Sequence, residues 1–414
     1  MSRASLISVG NELLCGRTVD TNAAWLSGRL FAMGIEVESV RMVADEVADI
    51  AEALRQVAQK AEIVLVTGGL GPTDDDLTRQ ALADYLGVEL VYRPELGETI
   101  EAFFTGRGLT MPERNRIQAH IPDGAEPIDN PRGTAPGVLY ETDNRLIALM
   151  PGVPNEMKGM FEDFVSPRIL RRQGGPVVRS ANLRCFGVGE SMLAERLGDR
   201  MLRGRNPLVN CTVSDGNITT LQVVASADSA QAADDILDFH CRELKELLGN
   251  LVFGTGEETI QGIVGRLLCE KEKTLAVAES CTGGLVAKLL TDVPGASEFF
   301  TCGWVTYSNA AKSQQLGVPA SLIEAWGAVS EPVAKAMAEQ AARKCGCDYA
   351  LGITGIAGPG GGSEQKPVGL VYISVLAGGH CQVHRCHFAN AGRDSVRLRA
   401  AQTALNLLRL QLTV

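Results

Sequence analysis

The sequence predicts an α/β protein of three domains, and three observations support this fold class. Its 414 residues exceed the length of one ordinary domain. The first and last thirds alternate short β-branched runs with amphipathic stretches, the pattern of a parallel sheet covered by helices. A middle stretch of different texture reads as a small α+β module. We place the domains at residues 1–170, 171–253 and 254–414.

The composition is that of a globular protein, with 45% hydrophobic and 21% charged residues. The net charge of −10 disfavours a nucleic-acid backbone as a partner, so no direct nucleic-acid binding is expected. The eleven cysteines are scattered and odd in number, which indicates a reducing cytoplasm rather than a disulfide framework. No apolar run approaches the roughly 18 residues that span a bilayer, so we expect a cytoplasmic protein without membrane contact.

In the first domain, strands are predicted at residues 5–10, 36–43 and 63–69. Helices are predicted from a cap at Asp20 or Thr21 to residue 33, from residue 45 to about 60, and from about residue 77. The loop after the third strand combines three glycines with three aspartates: Gly68, Gly69, Gly71, Asp74, Asp75 and Asp76. The glycines can present N–H groups to a phosphate, which the aspartates would repel unless a metal ion lies between.

This loop therefore suggests a metal-assisted pyrophosphate site at the carboxyl end of a parallel sheet. The alternative is that Thr73 and Asp74 cap the helix near residue 77, while the other acidic residues complement its dipole. Both interpretations stay open at this point.

Later in the chain, helices are predicted at 191–202 and 230–248, with a strand pair near 217–227. Residues 254–257 read as a linker, and a strand is predicted at 274–278. The last block is expected to have its own core and to fold alone. A run of histidines and cysteines at 380–387 has a strand pattern that sends its side chains to opposite faces, which disfavours a metal site.

The turn after the strand at 274–278 carries the strongest chemical signal. Ser280 would project from the sheet edge, and the N–H groups of the following helix could bind a phosphate or a developing oxyanion. The alternative is that Ser280 and Thr282 only cap that helix. Cys281 is a rival nucleophile, since a thiolate at a helix start would be more reactive.

Two further segments accompany this turn. Asn309 and Lys312 are one turn apart on a predicted helix, and a buried, neutral Lys312 could take the serine proton. No histidine is placed nearby for that role. The glycine-rich stretch 353–369 predicts either a structured binding loop or a flexible surface excursion.

Four ordered motifs, AESCTGG, VTYSNAAK, WGAVSEP and GIAGPGGGSEQKPVG, resemble the C-terminal domain of the competence/damage-inducible protein A (CinA) family, also found as a free-standing nicotinamide-nucleotide amidase. The resemblance implies hydrolysis of nicotinamide mononucleotide to nicotinate mononucleotide and ammonia, without a cofactor. It implies Ser280 as nucleophile, Lys312 as general base and Tyr307 as an assisting hydroxyl. The substrate-binding residues that it implies are Glu279, Thr282, Gly283, Gly284, Asn309, Gly355, Ala357 and Gly358.

The first domain resembles the one that this family shares with molybdopterin-binding proteins, through the segments at 9–26, 66–78, 131–137 and 150–157. The resemblance implies cleavage of ADP-ribose to AMP and ribose 5-phosphate with a divalent metal, and potassium as a further cofactor. The implied nucleotide and phosphate site comprises Asn11, Glu12, Asn22, Gly68, Gly69, Gly71, Thr73, Asn115 and Gly152, with Asp74, Asp75 and Asp76 as metal ligands. The middle module resembles the family's KH-like domain but lacks a GXXG clamp and a basic face.

The function hypothesis is therefore a hydrolase with two activities, acting on nicotinamide mononucleotide and ADP-ribose. Two alternatives remain: a non-enzymatic regulatory partner in competence or recombination, and a molybdopterin-handling module. A homodimer is the expected assembly, because small cyclic assemblies are the commonest oligomers.

Overall fold

The computed structural model describes residues 3–172, 177–202, 204–214, 216–388 and 392–413. The chain divides into two compact units, Met1–Arg179 with Ser226–Asp234, and Ser180–Ala225 with Asp235–Val414. In the described part of the chain, no helix is both long and apolar enough to cross a membrane.

The first domain is built on a six-stranded sheet of mixed direction with the order β2-β1-β3-β8-β7-β6. Its strands, together with the separate pair β4 and β5, are β1 (Arg3–Val9), β2 (Glu36–Val43), β3 (Ile63–Thr67), β4 (Leu90–Tyr92), β5 (His120–Pro122), β6 (Glu126–Ile128), β7 (Gly137–Thr142) and β8 (Arg145–Met150). Strands β2, β1 and β3 are parallel, as predicted, and β8, which was not predicted, is parallel to β3. The parallel pattern does not extend to the other edge, because β7 and β8 form a tight hairpin and β6 pairs antiparallel to β7.

Seven helices accompany this sheet: α1 (Asn11–Leu14), α2 (Thr21–Ala32), α3 (Val47–Ala58), α4 (Thr78–Leu86), α5 (Pro94–Thr105), α6 (Pro154–Met160) and α7 (Ser166–Arg172). The predicted cap of α2 is confirmed, since the Asp20 side chain accepts the N–H of Ala23 at 2.9 Å. Alternate residues of β1 belong to two different apolar clusters, with Ile7 in one and Leu6 in the other. The sheet is therefore buried on both faces, as expected for parallel strands.

The middle module has a four-stranded sheet of order β10-β11-β9-β12 and two α-helices. The elements are β9 (Val177–Phe186), α8 (Glu190–Leu197), β10 (Leu208–Ser214), β11 (Ile218–Ala227), α9 (Ala230–Leu248) and β12 (Val252–Thr255). Helix α9 has the predicted bounds, whereas β9 was not predicted. The predicted linker at 254–257 is wrong in its first half, because Gly254 and Thr255 pair with β9.

The last domain has a five-stranded sheet of order β14-β13-β15-β16-β17. Its elements are α10 (Ile260–Glu270), β13 (Leu275–Glu279), α11 (Leu285–Thr291), β14 (Phe300–Val305), α12 (Asn309–Ala311), α13 (Ala320–Trp326), α14 (Glu331–Cys345), β15 (Tyr349–Gly355), β16 (Leu370–Ala377), β17 (His380–His387) and α15 (Arg393–Leu412). The fully buried β13 runs parallel to β14 and β15, while β16 and β17 run antiparallel.

The core of this last domain extends into the middle module. Its main apolar cluster, which includes residues of α10 and α15, also contains Phe186, Ile218 and Phe253 of the middle module. These three side chains are nearly inaccessible to solvent. Part of the apolar surface that the C-terminal domain buries is therefore supplied by residues upstream of it.

Candidate functional site

Three hydroxyl side chains lie at or just after the carboxyl ends of the three parallel strands of the last domain. Glu279, the last residue of β13, pairs with the residues that precede Thr306 on one side and Thr354 on the other. Ser280, Thr306 and Thr354 therefore lie side by side at the carboxyl ends of the strands. This edge is where open α/β sheets bind their ligands.

The structure brings Lys312 against Ser280, as predicted. Lys312 is 1% exposed, and its Nζ lies 2.9 Å from Ser280 Oγ, 2.8 Å from the Thr306 carbonyl oxygen and 3.3 Å from that of Tyr307. Burial lowers the pKa of Lys312 from 10.5 to about 8. A neutral amine has two N–H donors, which the two carbonyls accept, and its lone pair then faces the serine hydroxyl. This arrangement suits removal of the serine proton.

The local backbone explains why Lys312 points inward. The Ser308 hydroxyl caps α12 by accepting the N–H of Ala311 at 3.1 Å. The helix then widens into a π-helical turn over Lys312–Leu316, a feature often found at functional sites. Asn309, one turn earlier, is exposed, whereas Lys312 is buried.

Glu279 has a structural role rather than the predicted substrate-binding role. Its fully buried carboxylate accepts the N–H groups of Gly284, Val286 and Ala287 at 3.0, 3.1 and 2.8 Å. These are the donors at the start of α11, so the prediction that they receive a phosphate or an oxyanion is also wrong. A carboxylate at this position satisfies the helix dipole and fixes the turn that carries Ser280.

The alternative that Ser280 and Thr282 are helix caps is wrong for the same reason. The residue immediately before α11 is Gly284, with a φ of 91°. It has no side chain with which to cap the helix. Ser280 instead donates its backbone N–H to the Ile353 carbonyl at 2.9 Å, which continues the sheet pairing of β13. The Ser280 hydroxyl therefore interacts with Lys312 rather than with the helix.

Cys281 is poorly suited to be the nucleophile. The side chain packs into the apolar cluster of the domain and is 5% exposed. Burial raises the pKa of its thiol from 9.0 to about 12. The thiol therefore stays protonated at neutral pH, and the geometry favours the neighbouring serine.

Two arginines of α15 that sequence reasoning did not select hold the loops around Ser280. Arg393 donates to the Gly358 carbonyl at 2.7 Å and to the Tyr307 hydroxyl at 3.1 Å. Arg397 donates to the Thr282 carbonyl at 3.0 Å. Their position near the start of α15 was the one indication in the sequence. Cations near the N-terminus of a helix interact unfavourably with its dipole, so a separate role can be expected for them.

The remaining residues that were predicted to bind the ligand differ in exposure and in backbone conformation. Tyr307 is 63% exposed, whereas the Ala357 side chain packs into the core, which contradicts a contact between that methyl group and a ligand. Gly355 ends β15, and Gly283 adopts a left-handed φ of 62°. The hydroxyls of Thr282 and Thr306 are buried and have no hydrogen-bond partner within the described residues.

The glycine-rich loop at 353–369 is anchored to the domain rather than detached from it. Lys366 Nζ donates to the Trp326 carbonyl at 2.8 Å, and the Thr354 hydroxyl donates to the Ala328 carbonyl at 2.8 Å. The bond from Arg393 to the Gly358 carbonyl and the 3.3 Å contact between His387 Nε2 and the Val368 carbonyl attach the loop at two further points. This agrees with the interpretation as a structured loop.

A second candidate site is a cavity of about 390 Å³ in the first domain. It opens at the carboxyl ends of β1, β3 and β8 and contains the predicted residues Glu12, Gly68, Gly69, Gly71, Thr73 and Gly152. Five carboxylates line it: Glu12, Asp45, Asp75, Asp76 and Glu156. The pKa of Asp45 is raised by burial and by the neighbouring acidic side chains, against the effect of a hydrogen bond from the Asn11 N–H.

The predicted aspartate triad is not assembled as a metal site. Asp74 does not line the cavity. Among the residues that the structure describes, no three His, Cys, Asp or Glu side chains are arranged to hold a metal ion. The helix-cap alternative is wrong too, because Asp76 accepts the backbone N–H of Thr73 at 2.8 Å and α4 starts after Leu77 without a side-chain cap.

Asn22 and Asn115, both predicted as ligand residues, instead donate hydrogen bonds to residues of the cavity wall. Asn22 donates to the Gly152 carbonyl at 2.8 Å. Asn115 donates to the Gln118 side chain at 2.9 Å, and Gln118 donates to the carbonyl of Leu70 in the glycine loop. Neither asparagine lines the cavity.

A buried arginine supports the same glycine loop. Arg79 is 2% exposed and donates to the Leu70 and Gly71 carbonyls at 2.5 and 3.1 Å. Burial lowers its pKa from 12.5 to about 10, so the guanidinium stays charged at neutral pH. Arg79 therefore fixes the carbonyl groups of Leu70 and Gly71, which point toward its buried guanidinium group.

The structure thus defines a multidomain α/β protein with a buried serine–lysine pair in its last domain and an acidic, glycine-lined cavity in its first. The sequence matches three family descriptions: "CinA C-terminal domain" over residues 257–412, "Probable molybdopterin binding domain" over 5–171 and "Damage-inducible protein CinA KH domain" over 180–254. The chain belongs to the CinA, or competence-damage inducible, protein family.

Individual relatives agree with this assignment. A putative competence-damage inducible protein of Symbiobacterium thermophilum is 41% identical, with 98% of each chain covered. Another, of Moorella thermoacetica, is 42% identical, also with 98% of each chain covered. A crystal structure of CinA from Thermoplasma acidophilum, described as of unknown function, is 35% identical over 40% of this chain and 97% of its own, with a TM-score of 0.38.

Proposed function

We propose that the C-terminal domain hydrolyses the carboxamide of nicotinamide mononucleotide, releasing ammonia. The observation that carries this proposal is the 2.9 Å contact between Lys312 Nζ and Ser280 Oγ at a buried sheet edge. A serine is a weak nucleophile until a neighbouring base accepts its proton. Lys312 suits that role because burial brings its pKa close to neutral.

The reaction proceeds in two steps at Ser280. As Oγ attacks the carboxamide carbon, its proton passes to Lys312 Nζ, and the resulting ammonium protonates the departing nitrogen, so that the C–N bond breaks and ammonia leaves. Water then attacks the acyl-serine ester and gives one proton to Lys312. That proton returns to Ser280 Oγ as nicotinate mononucleotide departs. The carbonyls of Thr306 and Tyr307 stabilise the ammonium form that appears in each step.

The substrate's phosphate is expected to interact with the guanidinium groups of Arg393 and Arg397. Their bonds to Gly358, Tyr307 and Thr282 place both groups on the loops around Ser280. Arginine is well suited to bind phosphate because its planar donors match the phosphate oxygens. Arg393→Met is therefore expected to raise KM for the mononucleotide about tenfold or more, as befits loss of a charged hydrogen bond, with less effect on the riboside that lacks the phosphate.

The test is ammonia release from nicotinamide mononucleotide by the purified full-length chain. Ser280→Ala should abolish the activity, and Cys281→Ala, an equal truncation one residue away, should retain it. A wild-type chain that is folded but releases no ammonia would contradict the proposal. That result would favour the alternative of a regulatory partner without enzymatic activity.

We also propose, as a second function, that the first domain cleaves the pyrophosphate of ADP-ribose. The observation that favours it is the cavity in which the glycine loop at 68–71 and Gly152 meet at the ends of parallel strands. Close approach of backbone to backbone requires glycine there, since a Cβ on Gly68 would lie 2.2 Å from the Val9 carbonyl oxygen.

The described residues do not form a resident metal site. Magnesium commonly binds through one or two carboxylates and completes its coordination with substrate phosphates and water. Asp75 and Glu12 can supply such carboxylates when the ion arrives with its nucleotide. Release of AMP from ADP-ribose, measured with and without Mg²⁺ and K⁺, tests both the activity and its ion requirement. A pterin that copurifies with the protein would instead favour the molybdopterin-handling alternative.

A further inference from the structure

One helix of the last domain joins the serine–lysine site to the middle module. Helix α15 has 20 residues and is therefore about 30 Å long. Near its start, Arg393 and Arg397 hold the loops around Ser280. The helix also shares an apolar cluster with the middle module, and these parts of the chain belong to one compact unit. A change of position at one end of α15 can therefore reach the other end.

The contact between α15 and the middle module is largely apolar. Phe186, Ile218 and Phe253 of the module lie in the buried cluster that contains the inward face of α15. The turn between β10 and β11 also meets the helix, because a Cβ on Gly216 would lie 1.6 Å from the Gln402 side chain. Apolar burial stabilises such a contact but is not directional, so it does not by itself fix the rotation or shift of the helix.

A buried arginine adds a directional contact. Arg409, in the last turn of α15, is 5% exposed and donates to the Asn250 carbonyl at 2.7 Å, in the turn between α9 and β12. The same guanidinium donates to the Asn406 side chain at 3.0 and 3.1 Å. Burial lowers its pKa, and no carboxylate of the described residues acts against that effect. The charge is thus buried without a counter-charge.

Stability alone does not explain an arginine at this position. A buried charge without a counter-charge is unfavourable, and an apolar side chain of similar volume would be better tolerated. A hydrogen bond, in contrast, restricts both the distance and the angle between its two partners. The Arg409 guanidinium is therefore suited to fix α15 on one carbonyl group of the middle module.

We propose that Arg409 is a positioning residue of the amidase site, through which the middle module fixes α15 and hence Arg393 and Arg397. The inference rests on the proposed amidase function, in which these two arginines bind the substrate's phosphate. Arg409 follows Arg393 by 16 residues, about 24 Å along the helix, so it acts through the helix rather than on the substrate. A displacement of about 1 Å at a group that positions substrate is enough to slow a reaction.

The test compares Arg409→Met with Gln411→Met in the full-length chain. Gln411 lies on the same turn of α15 but bonds to Gln382 of β17, within its own domain, at 3.3 Å. Arg409→Lys is a third variant, which keeps a donor for the Asn250 carbonyl. Ammonia release is measured with nicotinamide mononucleotide and with the riboside that lacks the phosphate. The readout is the ratio of the two kcat/KM values, which partial unfolding leaves unchanged because it lowers both values equally.

Arg409→Met is expected to lower this ratio about tenfold, mainly by raising KM for the mononucleotide, as befits a weakened charged hydrogen bond to phosphate. Arg409→Lys should recover most of the loss, and Gln411→Met should match the wild type. An unchanged ratio in Arg409→Met, an equal fall in Gln411→Met, or a lysine variant no better than the methionine variant would each overturn the proposal.

A pair of truncations on β11 tests the contact from the side of the middle module. Ile218 belongs to the cluster shared with α15, whereas Leu221 belongs to the module's own cluster. Ile218→Ala and Leu221→Ala should both lower the melting temperature. Only Ile218→Ala should lower the ratio. An equal fall in both variants would contradict the proposal, since the ratio would then follow the stability of the module rather than its contact with α15.

Hydrogen exchange distinguishes failure of this inference from failure of the proposed function. In Arg409→Met, the backbone N–H groups of the first turns of α15 and of the loops that Arg393 and Arg397 hold should exchange faster than in the wild type or in Gln411→Met. Faster exchange in a chain that releases no ammonia would reject the amidase alone. Ammonia release with an unchanged ratio and unchanged exchange would reject the positioning role alone.

Discussion

The pH dependence of ammonia release is the most direct test of how Lys312 works. The proposed base must be neutral to accept the Ser280 proton, and burial lowers its pKa to about 8. Activity should therefore rise with pH up to about 8 and level off above it. Below that point, each unit of pH should change kcat/KM about tenfold, because the neutral fraction changes by that factor.

The lowered pKa has a large predicted effect at neutral pH. With a pKa of about 8, roughly 9% of the amine is neutral at pH 7, whereas an ordinary lysine with a pKa of 10.5 would be only about 0.03% neutral. The environment of Lys312 thus increases the reactive form about 300-fold, which corresponds to roughly 3 kcal/mol of barrier. The figure depends on burial, and the structure leaves this side chain 1% exposed.

The assay is kcat/KM for nicotinamide mononucleotide between pH 6.5 and 9.5, since this parameter reports groups of the free enzyme. Lys312→Arg should be inactive across the range, because a guanidinium stays protonated and cannot accept the proton. Lys288→Met is the control. Lys288 lies on the neighbouring helix α11, is 64% exposed and pairs with Asp292, so its loss should leave the profile unchanged.

A profile that is flat from pH 6.5 to 9.5, or that rises with an apparent pKa near 10.5, would refute a lysine base with a lowered pKa. Near-normal turnover of Lys312→Arg would refute it independently. Tyr307 or a bound water would then be the next candidate.

Three further predictions address other residues. Ser280→Ala should release no ammonia, while Cys281→Ala should keep at least about a third of wild-type kcat, because a buried thiol with a pKa of about 12 takes no part in the attack; equal losses would show that the serine is not specifically required. Glu279→Gln should lower the free energy of unfolding by about 2 kcal/mol, since an amide cannot replace a carboxylate that accepts three N–H groups; chemical denaturation measures this, and an unchanged midpoint would contradict the assigned role. Asp76→Asn, which alters the partner of Thr73 in the acidic cavity, should impair ADP-ribose cleavage and leave ammonia release intact; loss of both in a folded variant would argue that the two sites depend on each other.

Much of the fold could be predicted from sequence because the strands carry strong local patterns. The buried strand β13 and the amphipathic helix α9 fall close to their predicted positions. Strands β9 and β12 were missed because their pairing is long-range: β12 joins β9 across about 70 residues of chain. A short strand whose partner lies so far away carries little local signal.

The residues of the candidate site were likewise predicted only in part. Ser280 and Lys312 were found because their motifs identify the residue types that the chemistry needs. Glu279 was misassigned because its partners are backbone N–H groups at the start of α11, and a sequence does not reveal which donors are already occupied. Arg393 was missed because it reaches the site from the last helix, 81 residues after Lys312.

The buried lysine also links this site to stability. Because the pKa of Lys312 is lowered from 10.5 to about 8 on folding, the unfolded chain binds more protons between these two pH values, and stability should rise with pH across that window. Below pH 8 the lowered pKa reduces the free energy of unfolding by its full amount, about 3 kcal/mol. A solvent-exposed lysine would avoid this cost, and it would also be almost wholly protonated at neutral pH. The carbonyls of Thr306 and Tyr307 reduce the penalty without adding a negative charge that would raise the pKa again. The site therefore keeps a base near neutrality by surrounding it with dipoles rather than with carboxylates.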